Sequence, residues 1–233
     1  MQIEYFSDYQ AMSEYACDLM LQQIEEKPHT LLCAATGNTP LKTYQLFAQK
    51  LSESPTELRL LMLDEWYGLD KIQEGSCYAF LQKYLVEPLQ IPNEHFFIYD
   101  SQTSNPEEAC LRMQVCLKQK GPIDLMILGI GLNGHLGFNE PKDFLSPTCH
   151  VAELEEQTKQ HTMIGELPNK PTKGLTLGMG EILQAKKIIL LINGAHKKEI
   201  TKAFLKGEIS AHLPASFLWL HPNVTCLIEA NAL

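Results

Sequence analysis

The apolar runs of this chain lack the polar alternation of a half-exposed sheet. "HTLLCAAT", "LRLLMLDEW", "HFFIYD", "IDLMILGIG", "KKIILLING" and "VTCLIEA" are strand-length stretches dominated by aliphatic and aromatic residues. A strand with no wet face is buried on both sides, the situation of a parallel sheet covered by helices. Helical patterns fill the intervals. "SDYQAMSEYACDLMLQQIEEK" gathers Met12, Tyr15, Ala16, Leu19 and Met20 on one face, and "TPLKTYQLFAQKL" does the same with Leu41, Tyr44, Leu46 and Phe47. "SCYAFLQKYLVEPL" reads as helical up to the Pro88 region, and "AHKKEITKAFLKGEI" as a further helix. "NPEEACLRMQVCLKQKG" carries an Asn105-Pro106 start and a Gly121 stop. No repeat, low-complexity tract or linker interrupts the series. The expectation is one doubly wound α/β domain over residues 1–233, with a mostly parallel sheet and helices on both faces.

At 233 residues and 45% hydrophobic content, a core of useful size forms without staples. The net charge of -9, with no basic block, argues against nucleic acid as a partner. An anionic ligand would have to be met locally, by backbone N–H groups and one or two placed cations. The seven cysteines are odd in number, widely spaced and free of any CxxC pair, so they read as small hydrophobes in a reducing compartment. No 18-residue apolar run is present to span a membrane, and "MQIEYFSDYQ" is unlike a signal peptide. A cytoplasmic protein is expected.

In doubly wound folds ligands bind beyond the carboxyl ends of the strands. Those segments hold the chemistry-bearing residues. In "AATGNTPLKTY", Thr36, Gly37, Asn38 and Thr39 lie between a strand and a helix starting near Pro40. Free N–H groups at such a helix start form an anion site; a tight turn with a threonine cap explains the same letters. In "LMLDEWYGLD", Asp64 and Glu65 stand at a strand end, where adjacent side chains point to opposite faces. One carboxylate can then face a cleft as a general base, unless both are simply solvated. In "GIGLNGHLGFNEP", the glycines Gly131 and Gly134 allow close backbone approach, and Glu140 lies five residues beyond His135. An imidazole oriented by a carboxylate is an acid/base unit; a glycine-rich turn with a surface histidine is the plainer alternative. In "INGAHKKEI", Lys197 or Lys198 falls in the first turn of a helix, where an anion would offset its clash with the helix dipole, if it is not ordinary surface lysine.

Other motifs are absent. There is no Walker loop, HExxH, zinc spacing or GxSxG nucleophile elbow, and "GLTLGMGEIL" is not a dinucleotide fingerprint. By spacing alone, His150, His161 and His212 read as surface or core residues.

Taken in order, "ATGNTPLKTY", "LDEW", "GIGLNGHLGFNEP", "GLTLG" and "GAHK" resemble the amino-sugar-6-phosphate deaminase/isomerase family, over roughly residues 28 to 228. Within it, "LDEW" and "PASFLWLH" look most like galactosamine-6-phosphate isomerases. The resemblance implies a Rossmann-like sheet. It implies cofactor-free, metal-free conversion of a 2-amino-2-deoxyhexose 6-phosphate to a ketohexose 6-phosphate and ammonia. Asp64 matches the family's base, and His135 with Glu140 its ring-opening pair. Thr36, Gly37, Asn38, Thr39 and Lys197 would hold the phosphate, with Glu65, Gly131 and Gly134 in the substrate-binding loops. The implied partner is the sugar phosphate, with a homo-oligomer left open.

Two departures stand out. Many relatives carry aspartate where this chain has Asn133, which can orient a neighbour but cannot bear charge. Glucosamine-type relatives place a phosphate-binding arginine before "GLTLG"; by length, His161 falls at its place. A single imidazole would then replace a bidentate fork. These departures motivate the galactosamine-type expectation, with glucosamine 6-phosphate as the alternative. A 6-phosphogluconolactonase-like hydrolase and a non-catalytic sugar-phosphate sensor are the competing readings.

Overall fold

The computed structural model describes residues 1–51, 57–165 and 167–233. The chain opens with β1 (Gln2–Phe6) and α1 (Tyr9–Glu26), whose cap Asp8 accepts from the Ala11 N–H at 2.9 Å. Then come β2 (Leu31–Ala34), α2 (Asn38–Leu51), β3 (Arg59–Met62) and β4 (Asp64–Trp66). A longer helical stretch follows as α3 (Cys77–Leu81), a π turn at Gln82–Val86 and α4 (Glu87–Leu89). The middle of the chain supplies β5 (Phe96–Phe97), α5 (Pro106–Lys120), β6 (Leu125–Gly129) and β7 (His150–Glu153). The remainder supplies α6 (Glu156–Lys159), β8 (Lys173–Thr176), α7 (Met179–Leu183), β9 (Ile188–Ile192), α8 (Lys198–Leu205) and β10 (Val224–Glu229).

Seven strands form one sheet in the order β1-β10-β9-β6-β2-β3-β5, and every neighbouring pair is parallel. β2 and β9 are buried at every residue, as their unbroken apolar sequences require. On α1, Met12, Ala16 and Met20 are fully buried, while Tyr15 is exposed at the edge of the expected face. On α2, Tyr44 and Phe47 face the core. α5 keeps its expected ends: the Asn105 side chain accepts from Glu108 N–H, and the chain leaves the helix at Gly121.

The structure departs from the sequence reading at "LRLLMLDEW", which is two strands and not one. β3 ends where its neighbour ends, with Met62 opposite Ala34. The main chain then leaves the parallel sheet. Leu63 O accepts from Leu177 N–H at 2.9 Å, and β4 pairs antiparallel with β8. A second sheet, β4-β8-β7, results. Its strands β7 and β8, and the edge strand β1, lack long apolar runs and were not expected, whereas β4 was read as the end of one longer strand.

The strand order places the cleft. From β2 the chain crosses outward to β3; from β6 it crosses the other way to β9. The segments after β2 and β6 therefore diverge from adjacent strands and leave a crevice between them. At the opposite end of the sheet, the buried carboxylate of Asp124 takes Lys27 Nζ at 2.7 Å, Lys186 Nζ at 2.9 Å and the Leu31 N–H at 2.9 Å. That cluster ties together the starts of β2 and β6 and the approach to β9.

Candidate active site

A cavity of about 590 Å³ opens at the crevice. Residues 35–39 after β2, Asp64 and Trp66 of β4, Cys77 of α3, residues 129–132 with His135 and Gly137 after β6, Gln157, Thr158 and residues 160–163, and Asn193, His196 and Lys197 after β9 surround it. Asp64 and His135, 71 positions apart in the chain, share this one space.

Asp64 is buried where the run changes sheets. Burial, followed by the charge of Glu65, raises its carboxyl to about 7, and a hydrogen bond from Cys77 opposes the rise. A carboxylate so placed is a stronger base than an exposed one.

Glu65 points the other way. Its two oxygens accept the N–H groups of Trp66 at 2.8 Å, Cys77 at 2.9 Å and Tyr78 at 2.8 Å, so it anchors the start of α3 and does not line the cavity. The alternation of side chains along β4 separates the two acids. Glu65 is thus removed from the substrate-contacting set expected from the sequence.

His135 is held from behind. Its Nδ1 lies 2.8 Å from Asn133 Oδ1 and 3.3 Å from Glu140 Oε2, with Thr158 Oγ1 at 3.4 Å. Asn133 Nδ2 donates to the same Glu140 oxygen at 2.8 Å. With Nδ1–H directed at these acceptors, Nε2 is the free nitrogen. Burial acts to raise Glu140, but the hydrogen bond and charge of His135 outweigh it, and the carboxyl falls to about 2. Asn133 keeps the geometry of a relay while Glu140 supplies the charge. Gly131 is required by contact: a Cβ there would sit 2.3 Å from the His135 ring. Gly134 packs instead toward Leu213 and Ile200, at φ +88°, and is not on the cavity wall.

The loop after β2 ends in Gly37 at φ +102°, and α2 starts at Asn38, earlier than the expected Pro40 region. Tyr9 OH donates to Asn38 O at 2.7 Å and accepts from Lys42 N–H at 3.1 Å; Tyr44 OH donates to Ala35 O at 2.8 Å. These tyrosines hold a helix start whose first N–H groups have no partners within the helix. His161 faces it, with Cε1 3.5 Å from where a Gly37 Cβ would be. The Met163 N–H donates to His161 Nδ1 at 3.3 Å, so a neutral ring carries its hydrogen on Nε2. Burial, then the charges of His135 and Lys197, lower His161 to about 4. Lys197 donates to Ile130 O at 2.6 Å, and burial lowers it to about 8. Lys198 is exposed, which resolves the choice between the two lysines.

His161, a surface or core residue by spacing alone but the residue at the arginine's place by the resemblance, faces the cavity because the turn at Thr162–Ile164 carries it there. Cys77, Thr158, Asn193 and His196 are cavity residues that the sequence reading passed over. Only Asn193 and His196, immediately after the β9 run, bore a positional signal.

Comparison with known proteins identifies the family. The family described as "Glucosamine-6-phosphate isomerases/6-phosphogluconolactonase" matches residues 7–227. The chain is 39% identical over 230 residues to AgaI of Escherichia coli (strain K12), a protein assigned as a deaminase, covering 97% of this chain and 91% of that one. It is 37% identical over 230 residues to the glucosamine-6-phosphate deaminase of Alkaliphilus oremlandii (strain OhILAs), covering 97% and 95%. Among solved structures, a monomeric glucosamine-6-phosphate deaminase superposes with a TM-score of 0.93 at 34% identity, covering 100% of this chain and 98% of that one. The family match over residues 7–227, the identity to named deaminases over nearly the whole chain and the shared fold make this chain a member of the glucosamine-6-phosphate isomerase/deaminase family, an enzyme of the amino-sugar-phosphate deaminase type.

Proposed function

We propose that the cavity binds a 2-amino-2-deoxyhexose 6-phosphate, opens its ring, and converts it to a ketohexose 6-phosphate and ammonia. The observation that carries this reading is the convergence of a buried carboxylate base and a carboxylate-backed imidazole on one cavity that also receives the start of a helix. The phosphate sits at Thr36–Thr39, met by N–H groups, Lys197 and His161 Nε2. His135 Nε2 takes the proton from O1 and returns one to the ring oxygen, while Glu140 and Asn133 hold Nδ1–H as charge develops. Asp64 then removes the C2 proton. Reprotonation at C1 leaves an iminium at C2; water adds there and ammonia leaves. Holding the sugar between these groups supplies much of the rate.

Galactosamine 6-phosphate, giving tagatose 6-phosphate, is the substrate proposed. Trp66 and His161 form one wall, with ring centroids 6.1 Å apart, and a single imidazole there leaves different contacts from a guanidinium fork. Glucosamine 6-phosphate, giving fructose 6-phosphate, is the second reading, favoured by the names of the relatives. Ammonia and ketose phosphate are to be measured with each sugar. Faster turnover of the galacto epimer by kcat/KM supports the first reading, the reverse the second, and no turnover of either removes both. We place the enzyme in the cytoplasm; as a separate fact, among the described residues no helix is long and apolar enough to cross a membrane.

A further inference from the structure

Beneath Asp64 lies a side chain with no assigned role. Cys77 is the first residue of α3, fully buried at the cavity floor. Its Sγ is 3.7 Å from Asp64 Oδ1 and accepts from Thr36 Oγ1 at 3.2 Å. Three elements fix it there: Glu65 takes its N–H, Ser76 caps the helix by accepting from Ala79 N–H, and Thr36 rides on the loop after β2. Among the described residues it is the hydrogen-bond donor recorded for the Asp64 carboxylate.

We propose that Cys77 is the positioning residue of the Asp64 base. Its thiol holds Oδ1 with a weak S–H donor, turns Oδ2 toward the Gly137 side of the cavity, and joins the base to the phosphate-side loop through Thr36. The inference rests on reading Asp64 as the base. Its physical content lies in the choice of atom. A buried carboxylate needs a donor to fix its rotamer, but each strong donor makes it a weaker base. A thiol is a poor donor, so it orients Oδ1 and takes little from its basicity. Besides Cys77, the group that acts on Asp64 is Glu65 on β4, and the charge of Asp64 is felt in turn by Cys33 on β2 and Tyr44 on α2. Burial raises the Cys33, Tyr44 and Cys77 groups well above their ordinary values, so all three stay neutral through the working range. Glu65 is bonded to three N–H groups. None of them offers the carboxylate a competing strong donor.

The test uses Cys77→Ser and Cys77→Ala in the full chain. The Asp64 carboxyl is titrated in ligand-free protein by carbon NMR of labelled aspartate, assigned with Asp64→Asn. The serine hydroxyl, a stronger donor, should lower the midpoint by roughly half a pH unit or more, and alanine should raise it. In turnover, the acid limb of kcat/KM should move in the same order. Cys77→Ala should slow C2–H exchange roughly tenfold, with KM within about twofold. Midpoints that coincide in all three proteins overturn the proposal and leave the thiol a packing group. If the wild type turns over neither sugar phosphate, the functional reading falls, whereas the titration still decides whether Cys77 governs Asp64.

Discussion

At the scale of the residue, the two acids of "LDEW" show how one peptide step divides labour. Asp64 is kept short of donors and its carboxyl rises to about 7; Glu65 is saturated with N–H groups and holds a helix. Asp64→Asn should stop deuterium uptake at C2, lowering kcat by on the order of a thousandfold, with KM changed less than threefold. Rate and isotope content of recovered substrate read the two separately. The same substitution has a stability consequence. A folded-state value above the unfolded one means the folded chain resists ionisation, so the penalty is absent below pH 4, grows between 4 and 7, and is constant above. Urea denaturation should find Asp64→Asn more stable than wild type by roughly 2–4 kcal/mol at pH 8 and no more stable at pH 4. Glu140 has the opposite sign: held at about 2, it supports the fold above the ordinary carboxylate range and loses that effect as pH falls toward 2. His135→Gln should slow a closed-ring substrate far more than an open-chain analogue. Equal losses on both would move His135 out of ring opening.

Elements set how much of this could be read beforehand. Apart from the edge strand β1, the strands of the parallel sheet were legible because burial on both faces favours apolar letters, and Asp64, His135 and Lys197, which line the cavity, could be picked out as candidates because they stand within a few residues of the ends of those runs, with Glu140 found by its spacing from His135. β7 and β8 were not, since "HVAE" and "KGLT" are short and partly polar, and their pairing is fixed by tertiary contact. The seam at Leu63 was hidden for the reverse reason: an apolar run does not show where it changes partners. Cys77 was invisible because a thiol in an apolar helix reads as a small hydrophobe; only its place under Asp64 gives it a task. Gly131 was noted for backbone freedom, but its use is to leave room for the imidazole. Gly131→Ala should therefore displace the His135 ring, cutting kcat by roughly a hundredfold, while the far-ultraviolet circular dichroism stays that of wild type. Retained activity would show that the ring can move without loss.

Across the whole molecule, stability and chemistry occupy opposite ends of the sheet. Asp124 and its two lysines clamp the amino ends of the central strands, and the cavity lies beyond their carboxyl ends. The lysines are partly exposed, which screens the pairs, so Asp124→Ala should cost about 1–3 kcal/mol in urea denaturation with kcat unchanged at a temperature where the variant is folded. The two walls of the cavity also differ in kind. Asp64 is stitched between two sheets, its neighbours paired on either side, whereas His161 rides on a single 3-10 turn joined to α2 through Asn38 and Thr162 at 3.4 Å. An incoming sugar meets one group fixed by two sheets and another tied down by a few bonds of a single turn. Slowing of amide exchange on ligand binding should accordingly concentrate in residues 157–165, and the reacting carbon would be aligned by whatever presses it against a surface that does not yield.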